Sequence, residues 1–209
     1  MAFYRSIGIT YDKFVQISEN ENAFKAIESA ITGGDTFRIL LSSGKGTGKH
    51  HMLEEIKRRH GIFSLAMEAR FLNELMVTGR RRTRTQQVKE CVQDSEISIV
   101  YNIDELDNFF CEEEWFHFLM KKRVILTAKT NFKDFPSSLK SLLQGFGYIE
   151  VSMEELSFDS RMRILNEFIR DYGLNVESQK INRLLEETRD LDQIKENLWR
   201  EFYESSSYS

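Results

Sequence analysis

An α/β fold, a parallel sheet with helices on its faces, is the class this sequence predicts, and three observations predict it. Short apolar runs of strand length alternate with longer stretches at helical spacing. One such run leads directly into the glycine-rich stretch SSGKGTGKHH (42–51), which opens a helical pattern. A second run, ISIVYNI (97–103), ends on the adjacent carboxylates Asp104 and Glu105.

The elements follow in order. NENAFKAIESAI (20–31) places Ala23, Phe24, Ile27, Ala30 and Ile31 on one helical face, and Gly33-Gly34 closes it. FRILLSS (37–43) reads as a buried strand, because parallel strands covered on both faces are continuously apolar. HHMLEEIKRRHG (50–61) is a helix stopped by Gly61, IFSLAM (62–67) a strand and ARFLNELMV (69–77) a helix. TGRRRTRTQQVK (78–89) reads as a basic loop. ISIVYNI (97–103) is a third strand, WFHFLMKK (115–122) a helix, RVILTA (123–128) and YIEVSM (148–153) two further strands. Beyond Val151 the period changes to three amphipathic helices over 159–173, 176–190 and 190–205. Asp159, Ser178 and Asp190 are their candidate starts, and Gly173 a candidate stop. The organisation expected is therefore an α/β core over 1–153 and a small helical subdomain over 154–209.

Composition narrows the function classes. Of 209 residues, 41% are hydrophobic and 30% charged, as in a soluble globular protein. A net charge of −4 excludes a generally basic nucleic-acid coat, so any DNA contact must come from a local patch. No apolar run approaches the ~18 residues of a membrane span, and MAFYRSIGIT lacks a signal-peptide layout. Cys91 and Cys111 lie far apart at no metal spacing, as expected of reduced thiols in a cytoplasmic protein.

Three constellations carry candidate chemistry. In the glycine-rich stretch, the phosphate-loop pattern G-x-x-x-x-G-K-[ST] meets Gly48 and Lys49 but finds Ser43 in place of glycine and His50 in place of the hydroxyl. Gly44, Gly46, Thr47, Gly48, Lys49 and His50 would line the phosphates, the backbone N–H groups cradling them and Lys49 reaching the β/γ oxygens. The plain alternative is a tight strand-to-helix turn with no ligand. Asp104-Glu105 has the form of a Walker B pair, in which the aspartate supports Mg²⁺ and the glutamate orients water. Its alternative is an ordinary acidic helix start. Arg80, Arg81, Arg82, Arg84 and Lys89 form the concentrated positive patch, read either as phosphate-backbone contacts to nucleic acid or as a solvated loop. His60 and His117 have no metal-spaced partners, and His50-His51 diverge on a helix, so no metal centre of their own is expected.

Together these motifs resemble the DnaA/Hda family of AAA+ replication-initiation ATPases. TYDKFVQISENENAFKAI (10–27) is similar to that family's entry segment, LLSSGKGTGKHHML (40–53) to its P-loop, and AMEARFLNEL (66–75) to its strand-to-helix stretch. IVYNIDELDNF (99–109) matches Walker B, KKRVILTAKTNFKDFP (121–136) the sensor 1 strand with its proline-bearing exit, and the helical end the AAA+ lid. The resemblance implies an AAA+ P-loop core with a C-terminal lid, ATP or ADP with Mg²⁺ as cofactors, and Asp104 as metal support.

Departures cluster where ATP would be read. Lys129 falls at the acidic sensor 1 position, Gly145 near the arginine-finger position with no arginine anywhere in 124–160, and Asp192 at the sensor 2 arginine. An arginine finger contributes ~10³-fold or more to phosphoryl transfer. The expectation is a pseudo-ATPase with weak or absent nucleotide binding and no hydrolysis. It would regulate replication initiation through DnaA or another AAA+ replication protein, with single-stranded DNA at Arg80, Arg81, Arg82 and Arg84, and with room for self-association. Neither the family's helix-turn-helix nor the sliding-clamp motif of its Hda members is expected from these residues. The competing expectation is an active ATP-dependent helicase loader or mobile-element initiator, and a blander one a scaffold domain.

Overall fold

Five apolar runs become five parallel strands in a computed structural model that describes residues 14–44, 46–77, 81–106 and 114–206. Within those ranges, the side chains of 74–77, 81–85, 114, 115, 192 and 201–206 lie outside the description. The strands are β1 (Arg38–Ser42), β2 (Ser64–Glu68), β3 (Ile97–Tyr101), β4 (Val124–Ala128) and β5 (Ile149–Ser152), in the sheet order β2-β3-β4-β1-β5. β3 and β4 are buried at every position, as strands covered on both faces must be. β5, at one edge, buries only Val151.

Helices α1 (Ser18–Thr32), α2 (Lys49–His60), α3 (Ala69–Val77), α4 (Arg81–Asp94), α5 (Glu114–Leu119) and α6 (Ser137–Phe146) accompany the sheet. α1 buries Ala23, Phe24, Ile27 and Ile31, four of the five face residues that its spacing predicts. α2 ends at Gly61, whose φ of 61° permits the left-handed C-cap that returns its N–H to the Lys57 carbonyl.

Two helices lie beyond the predicted elements. α4 replaces the expected basic loop from Arg81 onward, and its apolar content is a narrow stripe: Val92 is buried and Val88 packs beside it. α6 starts behind Pro136 and buries Leu139, Leu142 and Leu143. One large cluster gathers Leu40, Leu72, Val92, Val100, Phe116, Leu119, Leu126 and Leu143.

The described residues divide into two compact units, Ser18–Glu155 and a second that joins residues 14–17 to residues 156–206. The second unit holds α7 (Phe158–Asp171), α8 (Ser178–Glu187) and α9 (Leu191–Ser206). Phe168, Leu165, Leu185, Ile194 and Leu198 form its own core, and Val15 packs against it. α7 is capped by Ser157, whose hydroxyl accepts the Ser160 N–H, so the helix begins before the expected Asp159. Asp190 does cap α9, accepting the Gln193 N–H at 3.3 Å. Arg161 closes the other end of α8 by donating to the carbonyls of Leu185 and Thr188.

Candidate functional site

Because the strands are parallel, the residues that follow β1, β2, β3 and β4 emerge at one edge of the sheet. Ligands of open α/β sheets sit outside such carboxyl ends. The groups delivered there are Ser43 to Lys49 after β1, Glu68 at the end of β2, Asn102 to Glu105 after β3, and Lys129 with Thr130 after β4.

The loop after β1 has phosphate-cradle geometry. Gly46 and Gly48 take φ of 75° and 86°, values that an L side chain adopts only with strain. Gly48 is the N-cap of α2 and supplies no side-chain hydrogen bond to its first turn, whose amide N–H groups have no intrahelical acceptor. A Cβ built on Gly44 or Gly48 meets nothing within 4 Å, so open space flanks the loop. Thr47 is buried and donates to the Gly44 carbonyl at 3.0 Å, with its hydroxyl also against that of Ser43. Ser43 N–H donates to Ala128 at 3.3 Å and ties the loop to β4.

Lys49 is only 9% exposed. Its ammonium donates to the Ser43 carbonyl and hydroxyl, each at 2.8 Å, and to the Gly44 carbonyl at 3.0 Å. Burial lowers its pKa to about 8; the Lys129 charge adds to the fall and Asp104 opposes it. Open flanks, a buried cationic side chain and a helix N-terminus suit the phosphates of a nucleotide.

The acidic pair sits in a short 3₁₀ turn, Ile103–Glu105, entered through Asn102 at φ 57°. Asn102 N–H donates to the Thr127 hydroxyl at 3.1 Å and its amide nitrogen to Glu68 at 2.8 Å. The interruption of the apolar strand at this residue is thus a hydrogen-bonding hinge. Asp104 receives the Lys129 N–H on both oxygens at 3.2 and 3.1 Å, and the Thr130 N–H and hydroxyl on Oδ2, both at 3.1 Å. The Lys129 ammonium pairs with Glu105. Burial pushes the Glu68 carboxyl above its ordinary value; the Asn102 hydrogen bond resists this, the Glu105 charge adds to it, and Lys129 resists it.

These residues do not fit Mg²⁺. That ion demands an octahedral oxygen shell, whereas His50 offers only nitrogen and its ring lies 4.8 Å from that of Tyr101. Both Asp104 oxygens already accept protein donors. Among the described residues no three His, Cys, Asp or Glu side chains converge as a metal set.

Of the residues expected at the site, Gly44, Gly46, Thr47, Gly48, Lys49 and His50 form one continuous loop-to-helix segment, and Asp104 lies close enough for its charge to act on Lys49. Lys45 lies outside the described residues, as does Arg80. Arg81, Arg82 and Arg84 fall in the first turn of α4 with side chains outside the description. Gly145 is exposed in the last turn of α6, and Asp192 falls in the first turn of α9 with its side chain outside the description. Glu68 and Thr130 were not anticipated; the available signal was their position as polar residues at the carboxyl ends of strands.

Known proteins bear on the fold. No protein-family model matches the chain. The chromosomal replication initiator protein DnaA of Aquifex aeolicus is 23% identical over 198 residues, which cover 88% of this chain. The chain spans about half the length of that curated relative, 49%. Among solved structures, domain III of the Thermotoga maritima replication initiation protein DnaA superposes with a TM-score of 0.73 at 18% identity, covering 94% of this chain and 88% of that one. The replication initiator DnaA bound to AMPPCP and single-stranded DNA gives 0.69 at 19% identity, covering 88% and 61%. Among the described residues no helix is long and apolar enough to cross a membrane. A five-stranded parallel sheet with flanking helices, matched by these structures over about nine-tenths of its length, gives the chain the AAA+ fold of DnaA domain III.

Proposed function

We propose that this chain is a non-hydrolysing regulator of DNA replication initiation. It holds nucleotide phosphates on Ser43 to His50 and docks on DnaA or another AAA+ replication protein. The observation that carries the reading is the pairing of Asp104 and Glu105 with Lys129 and Thr130. A glutamate that neutralises a neighbouring ammonium is not available to orient an attacking water. The segment 124–160 contains no arginine to stabilise charge on a transferring phosphoryl group. The DnaA structure solved with AMPPCP and single-stranded DNA supports both ligands as candidates here. Arg80, Arg81, Arg82 and Arg84 are the residues proposed for the DNA.

Phosphate release from ATP, measured with Mg²⁺ and with or without single-stranded DNA, is the test. The expected outcome is no release above that of buffer. Turnover that depends on Lys49 refutes the reading and favours an ATP-dependent loader. Light scattering with the initiator from the same organism tests the partner; no association with or without nucleotide refutes the docking role.

A further inference from the structure

AAA+ nucleotide sites ordinarily place a divalent cation between carboxylates and phosphates. In this chain the carboxylates are already committed within the protein. We propose that Ser43, Gly44 and the residues from Gly46 to His50, together with Lys129, form a metal-independent site for the phosphates of a nucleoside di- or triphosphate, the Lys129 ammonium supplying the positive charge that Mg²⁺ would bring. This rests on the nucleotide reading above.

Three observations support it. Asp104 accepts donors on both oxygens, three of them on Oδ2 alone, so Oδ2 is filled by the Lys129 and Thr130 bonds that fix the end of β4 and only Oδ1 keeps room for another partner. Glu105 is held by the Lys129 ammonium, so a metal would have to displace a resident cation. Finally, the loop hydroxyl that completes a Mg²⁺ shell is replaced by His50, an imidazole lying on Tyr101.

Lys129 is suited to the substitution. It is 38% exposed, and its ammonium has three donors, so it can keep Glu105 and still present an N–H to an incoming phosphate with the backbone fixed. Lys129 starts beside the loop, since the Ser43 N–H bonds the carbonyl of its neighbour Ala128 at 3.3 Å, and the Lys49 ammonium lies against Ser43 and Gly44 in that same loop. The Lys129 ammonium and the first-turn amides of α2 then donate to phosphate oxygens, while the Lys49 ammonium, its donors on Ser43 and Gly44, adds its charge beside them.

Isothermal titration of the full chain with ADP, once with excess EDTA and once with millimolar Mg²⁺, tests the proposal without any variant. The expected dissociation constants agree within about fivefold. Lys129→Met, checked for folding by its circular-dichroism melt, is expected to weaken metal-free binding at least about tenfold. A larger gain with Mg²⁺ overturns this inference and leaves the nucleotide reading standing. Binding that ignores Lys129→Met in a folded variant overturns the role of Lys129. Heat in neither titration overturns the inference together with the nucleotide reading.

Discussion

Lys49 makes nucleotide affinity a steep function of pH. Its ammonium lies against the loop carbonyls of Ser43 and Gly44, and burial brings its pKa from 10.5 down to about 8, with the Lys129 charge acting in the same direction. Only the charged form attracts phosphate. Between about pH 7.5 and about pH 9.5 the charged fraction falls roughly 25-fold for a pKa of about 8, against about 1.1-fold for an unshifted lysine. Phosphate groups lose their last proton near pH ~6, so ADP keeps its charge through this window and cannot mask the effect. Dissociation constants for ADP in EDTA at four pH values across that range are the assay. The expected result is weakening of roughly 25-fold, about 2 kcal/mol, with Lys49→Gln weak and flat throughout. A flat profile for the unaltered chain refutes the placement of Lys49 on the ligand.

Without ligand, the same shift acts on stability with a defined sign. The unfolded chain binds more protons than the folded one between about pH 8 and 10.5, so stability relative to Lys49→Gln should rise across that window in urea melts. Changing Arg80, Arg81, Arg82 and Arg84 together to Ala should weaken single-stranded oligonucleotide binding and flatten its salt slope by up to about 3; an unchanged slope places the DNA elsewhere. Thr127→Val leaves the Asn102 N–H without its acceptor and should cost about 1–3 kcal/mol, measured by denaturant titration, while Thr127→Ser restores most of it. Phe168→Ala empties the centre of the three-helix unit, where the ring is fully buried against Tyr172 at 4.9 Å. It should cost about 3–5 kcal/mol, and a melt of the Trp199 fluorescence is the check.

The fold was largely legible because its strands are apolar and bounded. RILLS, ISIVY and VILTA are runs that only burial on both faces explains, and all lie inside the sheet. α4 was not legible, because its packing needs only Val88 and Val92, too thin a stripe among arginines, threonines and glutamines to raise a helical period. α6 carried a usable spacing at Leu139, Leu142 and Leu143, but serines at its start and Gly145 near its end weakened the pattern. At the site, the loop and the acidic pair were readable as motifs, since both are contiguous in sequence. Their relation to Lys129, Thr130 and Glu68 was not, because those residues converge only when β2, β3 and β4 align in register, 24 to 26 positions from the acidic pair in the case of Lys129 and Thr130.

The left-handed turn at Asn102 narrows the routes by which this sequence can drift. Only asparagine, aspartate and glycine enter that backbone conformation at small cost; a branched side chain would be strained there by ~1–2 kcal/mol. Glycine would keep the bend but abandon the bond to Glu68, while aspartate would crowd a fourth carboxylate among Glu68, Asp104 and Glu105. Mutation at this one codon therefore meets a gate that opens on two poor alternatives, and the acidic edge inherits its permanence from a backbone angle more than from its own charges.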